Sequence, residues 1–404
     1  MALAVELADE LVDGVKGAAL PLIRHDLGLS YGQVGLLASL PLLVGGVLEL
    51  PLGILADDAR RRRRVVLGGG VFFVLSLLAV ASARSFAVLL CALVAFYPFS
   101  GAYVSLTQAE LMDAWPDRQA RVMARWDLAG AIGAVAGPLL LMAVLACRGD
   151  WRDGYLILAG FSFVSWLGTC LREPLSGLVQ PPGGGGGGAP GWNAGGWVRE
   201  VVAALRDWGT VRWLVLLQVA DLLVDALTGF LALYLVGVAH VTPTVAALAV
   251  AIRLGAGLGG DAALVVVLER ISDAAVLRGT AIATALLYPA FLLVPGIASK
   301  LVILAALSAA TAPWYPLLQV RLYGQLPGRG SVAVTLGTVA GLAGGLGPLA
   351  VGIAAQQFGL PGALAGLAIV PVAVLAGGAT ARSGSDGAGS DGAGNDRAGS
   401  DGRC

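Results

Sequence analysis

Apolar runs of about 20 residues, broken by short polar segments, recur along the whole chain. Twelve can be marked, near residues 3–23, 32–55, 65–83, 86–110, 122–146, 152–171, 212–236, 244–267, 279–298, 301–322, 332–356 and 361–380. At a helical rise of about 1.5 Å per residue, each is long enough to cross a hydrocarbon layer of about 30 Å. The pattern therefore predicts an all-α membrane protein with twelve transmembrane helices. Two polar stretches are too long to be simple turns. Residues 172–211 include an unbroken glycine run at 183–188, and residues 382–404 repeat Ser-Asp-Gly-Ala-Gly units. The expected organisation is an N-terminal six-helix bundle (1–171), a cytoplasmic Gly-rich linker (172–211), a C-terminal six-helix bundle (212–381) and a disordered cytoplasmic tail (382–404).

The polar positions inside the spans repeat as well. Residues 8–17 read ADELVDGVKG, and 212 positions later residues 220–229 read ADLLVDALTG. The same offset carries Glu49 of the second span onto Asp261 of the eighth. Two related halves follow, visible without reference to any other protein. A carboxylate near the middle of a bilayer costs roughly 2.5–3.5 kcal/mol on insertion scales, so several in one helix must face a protein interior or a watery cavity. Asp9 and Asp13, four residues apart, share a helical face with Glu6 and Lys16. Asp9, Asp13, Lys16, Glu49, Asp221, Asp225, Arg253 and Asp261 are accordingly the expected lining of a coupling and substrate cavity between the halves.

Composition agrees with this picture. Hydrophobic residues make up 57% of the 404, charged residues 13%, and mean hydropathy is +0.82, far above an ordinary soluble domain. With the N-terminus on the cytoplasmic side, 19 of the 26 Lys and Arg lie in cytoplasmic segments. Arg24, Arg84, Arg148, Arg152 and Lys300 lie outside, and Lys16 and Arg253 lie within the membrane. The positive-inside rule thus places the chain, multi-pass, in the cell's inner (plasma) membrane with both termini cytoplasmic. The first span carries Glu6, Asp9 and Glu10 where a signal peptide has a basic region, so it is expected to be retained. Cys91, Cys147, Cys170 and Cys404 have neither disulfide nor metal-ligand spacing. No cofactor and no nucleic-acid partner is expected. The glycine run at 183–188 lacks the Lys-Ser/Thr of a phosphate-binding loop.

The second span closes on Gly53, followed by Asp57, Asp58 and the five arginines 60–64. Here the chain resembles the major facilitator superfamily of secondary transporters, whose loop between the second and third helices reads G-x-x-x-D-[RK]-x-G-[RK]-[RK]. Gly53, Asp57, Arg61 and Arg62 match, while Asp58 replaces a basic residue and Arg60 the glycine. The resemblance implies a gating role for this loop, holding the two halves together in the outward-open state. It also implies two six-helix bundles related by an axis along the membrane normal, rocking about a central site. The fifth span carries Gly130, Gly133, Gly137 and Pro138, echoed in the eleventh by Gly337, Gly341, Gly344, Gly345, Gly347 and Pro348. Glycines spaced three or four apart allow close helix contact. The Gly-Pro ending also resembles the fifth-helix motif of the superfamily's antiporters, although Leu139, Leu140 and Leu141 stand where that motif has further glycines. Both readings stay open. Residues 27–37, LGLSYGQVGLL, resemble drug and fosmidomycin-resistance type exporters.

In the fourth span Phe96, Tyr97, Pro98 and Phe99, and in the tenth Trp314, Tyr315 and Pro316, set aromatic residues beside prolines able to bend a helix. A carboxylate's charge is disfavoured as water leaves a cavity, so Asp13 and Asp225 are expected to take up and release a proton during the cycle. Lys16 and Arg253 would serve as their counter-charges. The expected activity is proton-coupled export of small organic, cationic or amphipathic molecules by a monomer whose partners are its substrate, protons and the lipid bilayer. A proton-coupled importer of a small metabolite is the alternative, and a non-transporting membrane sensor a remote one. An intramembrane aspartyl protease is excluded, since its Tyr-Asp and Gly-x-Gly-Asp pairs are missing. No enzymatic activity is expected.

Overall fold

The computed structural model describes residues 1–55, 59–115, 118–171, 199, 202–326 and 330–379. The side chains of 49–55, 59–60, 120, 331–335 and 379 are not among what it describes. Asp57, the linker over 172–198 and the tail from 380 onward, with Cys404, lie outside the described residues, as do the surroundings of Glu49 and Gly53.

Every regular element among the described residues is helical. The first half contains α1 (Ala2–Asp26), α2 (Tyr31–Leu55), α3 (Ala59–Ser82), α4 (Phe86–Ser100), α5 (Leu106–Asp113), α6 (Gln119–Ala146) and α7 (Trp151–Leu171), with a π-helical turn at Gly101–Ser105 joining α4 to α5. The second half contains α8 (Trp208–Gly237), α9 (Pro243–Leu268), α10 (Asp273–Leu293), α11 (Ile297–Thr311), α12 (Trp314–Gly324), α13 (Gly330–Gly344), α14 (Gly347–Gly366) and α15 (Ile369–Ala379). Among the described residues, ten helical stretches are long and apolar enough to cross a membrane. Two of the predicted spans are outside that set for local reasons. α1 is 25 residues long but too heavily charged, and α15 has only 11 residues. Between the last two predicted spans, Gly359 adopts φ +75°, a conformation glycine takes without a Cβ clash, and breaks α14 there.

Helix starts follow local chemistry. The Asp207 carboxylate accepts from the Thr210 N–H at 2.8 Å and caps α8. Thr242 caps α9, with Pro243 at its first turn, and Ser85 caps α4. The bonds from Thr210 hold the Asp207 carboxyl below the usual carboxylate range. α8 starts at Trp208, four residues before the predicted span, because this cap lies upstream of the apolar run.

The helices pack mainly within each half. α1 lies on α6 and α7, α2 on α4, and α3 on α4 and α7; in the second half α9 lies on α11, α10 on α11 and α15, and α8 on α12 and α15. Between halves α1 meets α8 and α9, α6 meets α9, and α2 meets α13 and α14. Trp151, Tyr103, Tyr155 and Phe73 are fully buried in the first half; Trp314, Tyr288, Phe230 and Phe291 are buried in the second. Large apolar side chains such as Leu286, Val302, Val320 and Phe358 are 63–73% exposed. In water such a surface would drive aggregation, and in a bilayer it is the lipid-facing surface.

Candidate functional site

The first half builds its part of the site on close contact between α1 and α6. A Cβ at Gly137 would lie 2.5 Å from the Leu11 carbonyl oxygen and 2.9 Å from the Gly14 Cα; at Gly133 it would lie 2.6 Å from the Leu7 carbonyl oxygen. Gly130 faces the Glu6 carboxylate. Only glycine lets the two backbones meet, which fixes α1 in rotation and height. Pro138 meets Gly14 of α1 from the same face. Glu6, grouped by the helical wheel with Asp9 and Asp13, instead lies on the α6 side, hydrogen-bonded to Trp126. The width of α6's small-residue face decides this, and α1's own periodicity does not show it.

Asp9, Asp13 and Lys16 project toward α4. The Lys16 ammonium is 2.6 Å from the Asp13 carboxylate. It also donates to the Tyr97 hydroxyl at 2.5 Å and stands 4.9 Å from that ring's centroid. Asp9 accepts from the Ser100 hydroxyl at 2.7 Å. Asp13's side chain keeps 49% exposure and Lys16's 22%, so the pair is reached by water on the carboxylate side. Tyr97 and Ser100 flank the bend in α4. Pro98 has no N–H to donate, the helix widens into the π turn, and the Gly101 N–H bonds back to the Tyr97 and Pro98 carbonyls. Gly45 of α2 clears room for Tyr97, whose Cβ would lie 2.7 Å from a Cβ there.

The second half places its polar groups around a cavity of about 490 Å³. Asp221, Val224 and Thr228 of α8, Arg253, Gly257 and Asp261 of α9, and Ser308, Thr311, Ala312, Trp314 and Tyr315 around the α11–α12 break form most of its wall. Across from them α6 contributes only Ala131, Ala134 and Val135, so the cavity lies between the halves. Arg253 is buried at 8% exposure and donates to the Val224 carbonyl at 2.8 Å. Its charge acts on Asp225 of the next α8 turn, without an ion pair within 4.0 Å among the described residues. The Thr228 hydroxyl donates to the same Val224 carbonyl. By the 212-residue offset Thr228 stands where Lys16 stands in the first half. The second half's cation thus comes from α9, and the two repeats are alike in carboxylates but unlike in counter-charge.

Asp221, Arg253 and Asp261 are thus drawn to one cavity with Asp225 beside it, whereas Asp9, Asp13 and Lys16 form a separate cluster on α1 and α4. Tyr97, Ser100, Thr228, Ser308, Thr311 and Tyr315 join them. The Tyr-Pro pairs at 97–98 and 315–316 were the signal for two of these, and the hydroxyls carried none. In the loop motif, Gly53 falls within α2 and Arg61 is exposed. Arg62 pairs with Asp113 at 2.7 Å, and Arg63 donates to the Thr169 and Cys170 carbonyls ending α7.

At the end of the helices bearing the 27–30 turn, the halves are latched. Gly35 and Gly352 bring α2 and α14 together, and a Cβ at Gly352 would lie 2.5 Å from the Tyr31 carbonyl oxygen. The Leu349 N–H, left without a helical partner by the first turn of α14, donates to the Ser39 hydroxyl at 3.0 Å. The Tyr31 N–H donates to Gln356 at 3.1 Å. Pro348 is buried in this contact, and Gly347 packs on Leu222.

Charged groups within membrane helices, a cavity between two helical halves that Asp221, Arg253 and Asp261 line, and a latch of α2 on α14 are what a membrane transport protein needs. The chain belongs to the Major Facilitator Superfamily, whose family model matches residues 11–348; it is a transporter and not an enzyme. Among solved structures it is similar to a bacterial homolog of the human lysosomal transporter Spinster in an inward-facing, occupied conformation, with TM-score 0.74, 15% identity, and 95% of this chain and 96% of that one covered. The nucleoside transporter NupG gives TM-score 0.69 at 14% identity, covering 95% and 98%. A D-xylose-proton symporter gives 0.67 at 14%, covering 94% and 95%. Comparison with curated proteins finds no significant match.

Proposed function

We propose that the protein is a proton-coupled exporter of small organic molecules, cationic or amphipathic, working by alternating access. Residues 1–171 and 212–381 are two six-helix bundles of a twelve-span chain, joined by the 172–211 linker, and the protein is a monomer in the inner membrane with cytoplasmic termini. The observation that carries this reading is the cavity between the halves, with the Asp221 and Asp261 carboxylates on one wall and the Tyr315 and Trp314 rings beside them. Two carboxylates attract a cation, and an aromatic face accepts its charge and its apolar body. The 27–30 turn lies outside, so the latch of α2 on α14 closes the external side and the conformation faces inward.

Coupling rests on the Asp13–Lys16–Tyr97 chain. Protonating Asp13 removes the counter-charge of Lys16, which then keeps only the Tyr97 hydroxyl and ring at the α4 bend. The proton at Asp13 is in this way linked to the bent helix that rocks with its bundle. In the second half Asp221 and Asp225 take substrate or proton in alternation, with Arg253 as the fixed counter-charge. Asp57 and Arg61 hold the opposite closure in the outward-open state. The Gly137-Pro138 pair within α6 supports exchange, while Leu139–Leu141 in place of further glycines favours the second reading, a proton-coupled importer of a metabolite.

The test is proton movement in proteoliposomes with an imposed pH gradient, using a panel of cationic drugs and small metabolites, for wild type, Asp13→Asn and Asp225→Asn. Substrate-evoked proton flux opposite to substrate, lost in either variant, supports exchange. Flux in the same direction turns the reading to import. Flux untouched by both substitutions removes the carboxylates from the coupling path.

A further inference from the structure

A second, smaller cavity of about 220 Å³ lies at the other end of the first half, away from the latch. Arg118, Arg121, Val122 and Arg125 at the start of α6 form one wall, and Leu3 of α1 with Leu111 and Trp115 at the end of α5 form the other. Arg121 and Arg125, four residues apart, share one face of α6, and Arg118, the residue before the helix, lines the same cavity. All three are solvent-exposed and line this one cavity. None makes a hydrogen bond or ion pair with a described residue, in contrast to Arg62 and Arg63 nearby on α3, which are taken by Asp113 and by the last carbonyls of α7. Three like charges around one cavity repel one another unless an anion is shared between them. The cavity is smaller than the roughly 300–1,000 Å³ typical of sites that enclose a whole small ligand, and it is distinct from the transport cavity. Its other wall is apolar and open, with Trp115 47% and Leu3 38% exposed. A tryptophan at a span's end marks the depth of lipid headgroups.

We propose that this cavity binds the phosphate headgroup of an anionic phospholipid, the three arginines sharing the phosphate and Trp115, Leu3 and Leu111 meeting the glycerol and the first acyl carbons. Basic pockets between membrane helices at the positively charged face suit that headgroup chemistry, and guanidinium groups bind phosphate oxygens with two donors each. Because Leu3 belongs to α1, a bound lipid also props the end of the helix that carries Asp9, Asp13 and Lys16.

The test is retention of phosphatidylglycerol, with phosphatidylcholine as reference, on detergent-solubilised full-length protein by native mass spectrometry. Wild type is compared with an Arg118→Gln/Arg121→Gln/Arg125→Gln variant, its three single substitutions, and an Arg270→Gln/Arg278→Gln control that removes exposed arginines from the second half. The expected result is about fivefold weaker phosphatidylglycerol binding per arginine and on the order of 100-fold for the triple variant, with the control and phosphatidylcholine binding unchanged. If the triple variant does not remain monodisperse, graded loss across the single variants carries the same reading. Equal phosphatidylglycerol retention in wild type and in the arginine variants would overturn the proposal. Complete displacement of the lipid by excess inorganic phosphate or glycerol 3-phosphate would overturn the lipid as occupant in favour of a soluble anion.

Discussion

Substituting Lys16 by Met, Asp13 by Asn, and both together, tests whether the first half's charges act as a unit. The pair is close, 2.6 Å from nitrogen to oxygen, and at an effective dielectric of about 20 the attraction over such a distance is several kcal/mol before desolvation is subtracted. Much of that is lost to water, because Asp13 remains 49% exposed. Asp13 alone can therefore be solvated from the cavity once Lys16 is gone. Lys16, at 22% exposure, retains only the Tyr97 hydroxyl and ring once Asp13 is neutral. Asp13→Asn should then cost more than Lys16→Met, with the former about 2 kcal/mol and the latter about 1, well below the ~3–5 kcal/mol of a fully buried pair broken on one side. The double variant should cost less than the sum of the two, with a coupling of about 1 kcal/mol. The assay is thermal unfolding of the purified protein in one detergent, converted to free energy around a common midpoint. Additivity within about 0.3 kcal/mol, or Lys16→Met as the costlier single change, would refute the reasoning, since the first means that water and not the partner satisfies Lys16 and the second that Asp13 left alone is not solvated from the cavity.

Gly137→Val would set a Cβ 2.5 Å from the Leu11 carbonyl oxygen; α1 and α6 must part by close to 1 Å, at an overpacking cost of about 1–3 kcal/mol, read as a lowered unfolding midpoint together with lost transport. Gly352→Val removes the α2–α14 latch, because its Cβ would meet the Tyr31 carbonyl at 2.5 Å. A single cysteine placed at Leu349 in a background without the four native cysteines should then be labelled faster by a membrane-impermeant thiol reagent added on the latched side, and an unchanged rate counts against the latch. Asp207 is held below the usual 3.8 by the Thr210 N–H and hydroxyl. Its stabilisation of the first turn of α8 is present above that value and fades as pH falls below it toward the lower folded value. Amide exchange at Thr210, corrected for intrinsic rate, should accelerate across that acid window in wild type and show no such step in Asp207→Ala, which loses about 1 kcal/mol of local protection at neutral pH.

Apolar run length was enough to mark the ten crossing helices among the described residues, because lipid leaves the backbone no alternative to satisfying itself within a helix. It was less informative where another constraint competes. α1 pairs its apolar residues with five charges between Glu6 and Lys16, so hydropathy alone undercounts it, and the internal repeat identifies it as equivalent to α8. The turn near the last predicted boundary depends on one residue, Gly359, whose φ of +75° is invisible in a chain with 59 glycines. The glycines at 130, 133 and 137 announced a close approach without naming the partner, since a smooth face says how near a neighbour comes and not which neighbour it is. The π turn after Pro98 has no simple counterpart, because the equivalent break in the second half falls at 312–313, before Trp314.

The carboxylates of the site were legible for the opposite reason. Asp9 and Asp221, Asp13 and Asp225 keep their places in both repeats, and an acid inside an apolar run is conspicuous. Their counter-charges did not follow. Lys16 comes from the same helix as Asp13, three residues on, whereas Arg253 reaches α8 from α9 by way of the Val224 carbonyl. A repeat preserves position along the chain, but a counter-charge need only be near in space, and helix packing can supply it from either side. The consequence is an asymmetric arrangement of charge within a symmetric frame. The first half holds its acid in an ion pair tied to the α4 bend, while the second leaves Asp221 and Asp261 lining open volume with Arg253 set back in the wall. On the mechanism proposed above, the ion-paired Asp13 would serve the proton, and Asp221 and Asp261, which have no ion pair among the described residues, would meet the substrate.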